Sequence, residues 1–258
     1  MSILSIVSVG LLALVVAGIT LLIARRKAVA DGGSDSDSQS FVGGVLNALF
    51  TVVLAFYIVF AWQNGDDIES AAKQEANALT DIYWQASVAP APQAAAIQSL
   101  TEQYAERVVD HEWAALDESR TDPEVDRLLN ALRGEVLALP ADDEAVKSAR
   151  EQSLQSIRQI DEGHRERVDI ATDSKTFTTV LLVGSALGAA LMIAFPLLVG
   201  LSMRPANIAS MVLLSSTLGL VLYLSTALMH PLSGPFGIDP DPFRTTLEGF
   251  SRTTMSGA

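Results

Sequence analysis

Four long apolar runs punctuate the chain, and the polar stretches between them keep a helical rhythm. Residues 3–24, 41–62, 177–201 and 206–229 are each apolar for long enough to span a bilayer, since about 20 such residues in a helix cross a ~30 Å hydrocarbon core. Between residues 63 and 175 the apolar positions recur at three- and four-residue steps instead of alternating, which predicts helices and no sheet. Ile68, Ala72, Glu75 or Ala76, Leu79, Ile82 or Tyr83 and Ala86 form one stripe that runs on from the second span until Pro90. Pro92 suits the first turn of a second helix, which reaches about Glu118 with Ile97, Leu100, Tyr104, Val108 and either His111 or Ala115 inward. Thr121-Asp-Pro-Glu124 reads as a capping box; the third helix that it opens carries Val125, Leu128, Leu129, Leu132 and Val136 and closes before Pro140. A fourth helix begins near Asp142, and its stripe of Val146, Ala149 or Arg150, Leu154, Ile157, Ile160 or Asp161, His164 and Val168 continues toward Lys175 and the third span.

The predicted fold class is therefore all-α: an integral membrane protein with four transmembrane helices and an extramembrane antiparallel four-helix bundle between spans two and three. The domain plan is spans one and two with a short polar loop over 1–62, the bundle over 63–175, spans three and four over 176–229, and a Pro/Gly-rich tail with a short terminal helix over 230–258. A cleaved leader is the competing reading of the first run, because Ala28-Val29-Ala30 resembles a small-residue cleavage site. The basic cluster Arg25-Arg26-Lys27 comes after the run instead of preceding it, which favours a membrane span. In the third span, Gly184 and Gly188 make a small-xxx-small face that permits close packing, and Pro196 predicts a kink.

Charge sharpens this picture. The chain carries a formal −13, and residues 66–175 hold 24 acidic against 11 basic residues, so the whole excess lies in the polar domain. An acidic domain argues against nucleic acid or an anionic lipid surface as its partner, and no nucleic acid is expected. Arg25, Arg26, Lys27 and Arg204 sit in the two short loops, so the positive-inside rule places those loops in the cytoplasm, with both termini and the acidic bundle extracytoplasmic.

The apolar runs contain no Asp, Glu, Lys, Arg or His, which disfavours ion-coupled carriers and voltage sensors. With no cysteine, thiolate chemistry and disulfides are excluded. His111 has acidic neighbours on both sides and His164 has Asp161 three residues back, but no zinc-ligand spacing occurs, and a solvated charged face explains both. No nucleophile or phosphate-binding motif stands in a usable context. Hence no catalytic residue, metal site or cofactor is expected, and the protein reads as a non-enzyme. Tyr83, Trp84, Tyr104 and Trp113 read as bundle core in preference to a ligand pocket.

Several features together resemble the bacterial bestrophin-like family of four-span membrane proteins. They are Trp62-Gln-Asn-Gly65-Asp66-Asp67 at the exit of span two, Glu75-Ala76, the Leu79–Tyr83 run, Pro231-Leu-Ser-Gly234, Ile238, Pro240 and Phe243. The chain departs from that pattern at Gly65, where the family has an aromatic, and at Leu232, where it has Phe. The resemblance implies a homo-oligomeric anion channel in membrane lipid, passing chloride or another small anion, with span two lining the pore. Asn47, Thr51 and Tyr57 would then be its polar lining, and Phe50, Phe56 and Phe60 its constrictions. Trp62, Gly65, Asp66, Asp67, Pro231, Gly234, Pro240 and Phe243 would form the interface where chain leaves membrane, with Gly65 as a hinge. Bestrophins proper keep the equivalent domain in the cytosol, whereas the local charges place this one outside. The alternative is a membrane-anchored sensor or scaffold whose acidic bundle binds a ligand or an envelope partner.

Overall fold

The computed structural model describes residues 36–140, 142–198, 205–227, 231–233 and 237–256. The first span (3–24), the basic cluster after it, Arg204 and Gly234 lie outside the described residues. Among those described there is no strand. The elements are α1 (Ser36–Gln85), a 3-10 turn (Ala86–Val88), α2 (Ala91–Arg107), a π turn (Val108–Glu112), α3 (Trp113–Asp117), α4 (Pro123–Leu137), α5 (Glu144–Leu198), α6 (Pro205–Ala227) and α7 (Asp241–Ser256).

The breaks have local causes. Ala89, ahead of Pro90, is extended at ψ 160°, as the ring of a following proline requires, and Pro92 sits in the first turn of α2. The cap of α4 is Asp122, one residue later than a capping box on Thr121 would place it. Its Oδ1 accepts the Glu124 N–H at 3.0 Å, and Pro123 fills the first helical position, where no N–H is needed. Asp143 does the same for α5, accepting from the Ala145 N–H at 2.7 Å and the Val146 N–H at 3.3 Å. The terminal helix begins as early as Asp241, so Phe243 is helical and not part of an irregular tail.

The chain divides into two compact units, one from the described residues of Met1–Phe60 and Thr176–Met229, the other from those of Ala61–Lys175 and His230–Ala258. In the first unit, Phe50, Ala189 and Leu218 form a small apolar core, with Leu54, Met192 and Leu214 packed against it. A Cβ placed on Gly188 would lie 2.7 Å from Phe50 Cδ2, so the glycine is what lets that ring seat against α5. Gly184, the other half of the small-residue pair, has its nearest neighbour 3.9 Å away at Val53. Large apolar side chains such as Phe41, Leu49, Phe56 and Leu213 remain exposed. Two helical stretches, Ser40–Val88 and Thr179–Pro196, are long and apolar enough to cross a membrane, and Val212–Leu224 is a shorter apolar stretch. Pro196 lies inside α5, which continues to Leu198.

In the second unit the stripes read from the sequence converge on one core. Ile68, Leu79, Ile82, Ile97, Tyr104, Val108, Val125, Leu129, Leu132, Val136, Ile157 and Ile160 are all buried in it. Helix α2 packs on α4 and on α7. Helix α7 contributes Phe243 to this core, and its Phe250 stacks on Tyr83 with ring centroids 4.0 Å apart. Helix α1 continues unbroken through Gly65. A Cβ at that glycine would meet the Ile238 Cδ1 at 3.3 Å, so the missing side chain makes room for Ile238.

Candidate functional site

The second unit encloses a knot of charge. Arg167 on α5, Glu75 on α1 and Glu112 at the end of the π turn are all fully buried. The Arg167 Nη2 donates to Glu112 Oε2 at 2.7 Å and to Glu75 Oε1 at 3.2 Å, and its Nε donates to Glu75 Oε2 at 3.3 Å. Tyr104 on α2 donates its hydroxyl to Glu75 Oε1 at 2.5 Å. His164, one turn before Arg167 on α5, places Nε2 2.7 Å from Glu112 Oε1 and Nδ1 3.8 Å from Asp126 Oδ1 on α4. The guanidinium lies 5.4 Å from the Trp113 ring centroid and 5.7 Å from that of Phe243, within the range at which a cation is attracted to a ring face. Trp113 is itself held by donating Nε1–H to the Ile238 carbonyl at 2.9 Å.

Two local devices bring these groups together. The π turn adds a residue to the turn of what the stripe predicts as one continuous helix to about Glu118, and so rotates the residues beyond it about the helix axis. His111 is therefore exposed and Ala115 only half-buried, while Glu112, Trp113 and Leu116 point inward. The solvated-face reading thus holds for His111 and fails for His164, which is buried. The second device is Gly163, one turn before Arg167. A Cβ there would sit 3.0 Å from the Ala71 carbonyl oxygen and 3.5 Å from Glu75 Cβ, so the missing side chain lets α5 approach α1 beside the ion pair.

Burying an ion is costly unless it is paired and hydrogen-bonded, and the electrostatics here show the pairing. Burial alone would push the Glu112 carboxyl up, but the charge of Arg167 and the contact with His164 more than offset it and hold the group below its usual range. Burial would likewise push His164 down. The hydrogen bond and charge of Glu112, with Glu75 behind it, overcome that and the repulsion of Arg167, so the imidazole is held above its ordinary value. Burial lowers and the charges of Glu75 and Glu112 raise Arg167, with the carboxylates prevailing. Tyr104 is pushed well up by burial first and by Glu75 second, so its phenol stays protonated as a donor. Arg167 Nη1 is a buried donor with no hydrogen-bond partner.

Among the described residues no group of three or more His, Asp or Glu is arranged to hold a metal ion. The carboxylates of the cluster are already committed to cations and to a phenol. What the arrangement can do is take up and release a proton at His164. A separate open cleft of about 550 Å³ lies between α1 and the start of α7, lined among others by Glu69, Lys73, Asn77, Asp239, Asp241 and Thr245. Among its lining charges, Lys73 pairs with Glu69 at 2.5 Å and Asp241 with Arg244 at 3.2 Å.

The positions singled out by sequence fall in different places. Asn47, Thr51 and Phe56 are exposed on α1, Phe60 is half-buried, and Phe50 and Tyr57 are buried. Thr51 donates its hydroxyl to the Asn47 carbonyl one turn back at 2.9 Å. Trp62, Asp66 and Asp67 are exposed, and Gly65 is half-buried. The Pro231 carbonyl accepts the Ile238 N–H at 2.8 Å, and that of Pro240 accepts from Phe243 and Arg244 at 3.1 Å, which shapes the approach to α7. Of this set, Phe243 is the one in contact with the charge cluster. Glu112, His164 and Arg167 were missed as a site. A signal existed: Glu75 and His164 stand at apolar-stripe positions, and Arg167 lies three residues beyond His164 on the same face.

The family model described as the bestrophin-like domain matches residues 10–243. The chain belongs to the bestrophin-like domain family. No curated protein and no solved structure matches it. The bestrophin-like match contains all five members of the charge cluster, together with Trp113, and ends on Phe243, the second ring against the guanidinium. With its long apolar helices, the bestrophin-like chain is that of a membrane protein.

Proposed function

We propose that this bestrophin-like protein has four spans and forms a homo-oligomeric pore for chloride or another small anion, with span two at the axis. It acts without catalysis, and both termini and the acidic unit, an antiparallel four-helix bundle, lie outside the cytoplasm. The observation that carries the reading is the pair Asn47 and Thr51. They share one side of an apolar, uncharged span, one turn apart, and both are exposed on the protomer. A polar group on a lipid-crossing helix is favourable where its own backbone, water or another protein surface meets it. The Thr51 hydroxyl is met by the Asn47 carbonyl, so the Asn47 amide is the member of the pair that calls most for an aqueous or protein-lined axis. Phe50 and Tyr57 are buried inside the protomer, so they are assigned to packing, and Phe56 stands on a different side of the helix from Asn47. Reconstitution into liposomes with an anion-flux readout tests the reading. Flux above that of empty vesicles, reduced by Asn47→Leu with Thr51→Val, is expected; flux equal to that of empty vesicles would end the channel proposal.

A second reading, a membrane-anchored sensor, is favoured by the charge cluster itself. Glu75 belongs to α1 and Arg167 to α5, and these two helices also carry the two long apolar stretches. A change in the cluster would then be a change in helices that enter the membrane.

A further inference from the structure

We propose that His164 is a proton-sensing position of the second unit, and that its protonation sets how firmly the π turn and α4 are held against α5. The geometry is specific. The ring stands between two carboxylates, with Nε2 at 2.7 Å from Glu112 on the π turn and Nδ1 at 3.8 Å from Asp126 on α4. A neutral imidazole can serve Glu112 with its one N–H and carries no charge for Asp126; an imidazolium keeps the hydrogen bond to Glu112 and adds a charge that attracts Asp126 across 3.8 Å. The other groups around the ring are accounted for. Arg167 faces Glu75 and Glu112; Tyr104 from α2 donates to Glu75; Asp161 and Arg165, on the ring's own helix, pair with each other at 2.9 Å.

The charge balance shows what protonation does. With His164 charged, two cations meet the two buried carboxylates; with His164 neutral, one cation is left to hold both. The direction comes from the contacts. Glu112 holds the imidazole above its ordinary value, so the tie is complete below about 6.5, the ordinary histidine value, and is lost as pH rises through the higher native one. Alkalinity therefore loosens α4 and the π turn, and acidification secures them. Any effect on the pore rests on the channel reading above, but the proton switch itself does not.

The test uses the full chain in lipid nanodiscs. The protein has only three histidines, so selective isotope labelling gives a short spectrum, and His111→Gln and His230→Gln assign it. His164 is expected to titrate above about 6.5, and amide exchange in α4 and the π turn, corrected for its intrinsic pH dependence, is expected to rise several-fold across that titration. His164→Gln, whose amide NH2 can still donate to a carboxylate but never ionises, is expected to remove this pH dependence. Should that variant fold poorly, Asp126→Asn at the exposed carboxylate is expected to lower the His164 titration while leaving the core in place. Titration of His164 at or below the ordinary value overturns the proposal, as does an unchanged pH response in His164→Gln. A titration unmoved by Asp126→Asn overturns the part assigned to α4. Absence of anion flux would remove the channel reading and leave these results standing.

Discussion

Replacing Arg167 with methionine keeps most of the side-chain volume and removes the cation shared by Glu75 and Glu112. Both carboxylates are fully buried, and three hydrogen bonds from the guanidinium would vanish at once. Losing one partner of a buried ion pair costs about 3–5 kcal/mol, because the remaining charge is stranded in a medium that cannot solvate it. Here two carboxylates are stranded, with the Tyr104 hydroxyl and His164 as partial compensation. Methionine also forfeits the attraction to the Trp113 and Phe243 rings, about 0.5–2 kcal/mol for a desolvated pair. The two losses together, about 3.5–7 kcal/mol at about 2–4 °C per kcal/mol for a unit of this size, should lower the midpoint by roughly 7–28 °C. Thermal unfolding of the purified protein in detergent, monitored by tryptophan fluorescence, reads this directly, since Trp113 lies against the guanidinium. Adding Glu75→Gln and Glu112→Gln to Arg167→Met should recover a large part of the loss, because the cost lies in the orphaned charges more than in the missing contact. A midpoint within about 2 °C of wild type for Arg167→Met, or no recovery on neutralising the glutamates, would refute the account of the cluster.

Three further outcomes are expected. Gly188→Val should destabilise the first unit by about 1–3 kcal/mol through collision with Phe50, whereas Gly184→Ala should be close to neutral; denaturation of the two variants in one detergent separates them. Glu112 is held below the usual carboxylate range, so it stabilises the fold above about 4.5 and that contribution fades as pH falls through its lowered native value; an acid-unfolding series should therefore show Glu112→Gln less stable at neutral pH with the difference narrowing toward low pH. Because the chain has no cysteine, Ala131→Cys on the exposed side of α4 offers a single thiol; labelling by a membrane-impermeant maleimide in intact cells is expected, and labelling only after lysis would reverse the proposed orientation.

Much of the helical plan was legible because its causes are local. Pro90, Pro92, Pro123 and Pro140 mark breaks through backbone geometry alone, and the apolar stripes of α1, α2, α4 and α5 arise from a 3.6-residue period. Where the plan slipped, the cause was tertiary. Nothing in Val108–Glu112 announces a π turn; it is favoured because it turns Glu112 and Trp113 toward groups on α5 and α7. Asp122 displaced Thr121 as the cap because its carboxylate also meets the Arg107 Nε, at 2.5 Å. Gly184 and Gly188 look equivalent in sequence, and only the position of Phe50 distinguishes them. The charge cluster was hidden for the same reason. A glutamate or histidine in an apolar stripe is ambiguous by itself, and the arginine that makes sense of Glu75 lies 92 positions away.

That separation also dictates an order of events during synthesis. The apolar stretch of α1 and the first turns beyond it are made while the cation for Glu75 is still 92 residues from being added. At ~5–20 residues per second this leaves an interval of roughly 5–20 s. Throughout it the Glu75 side chain lacks its cation, so burying the face of α1 that will become the core is costly and that face favours contact with water. Helices α2 and α4 emerge into that interval and can pair with each other, but the centre of the unit can close only when α5 arrives with Arg167. The centre of the unit therefore forms in two stages, first when α5 brings Arg167 to Glu75 and Glu112, and then when α7 adds Phe243 and Phe250.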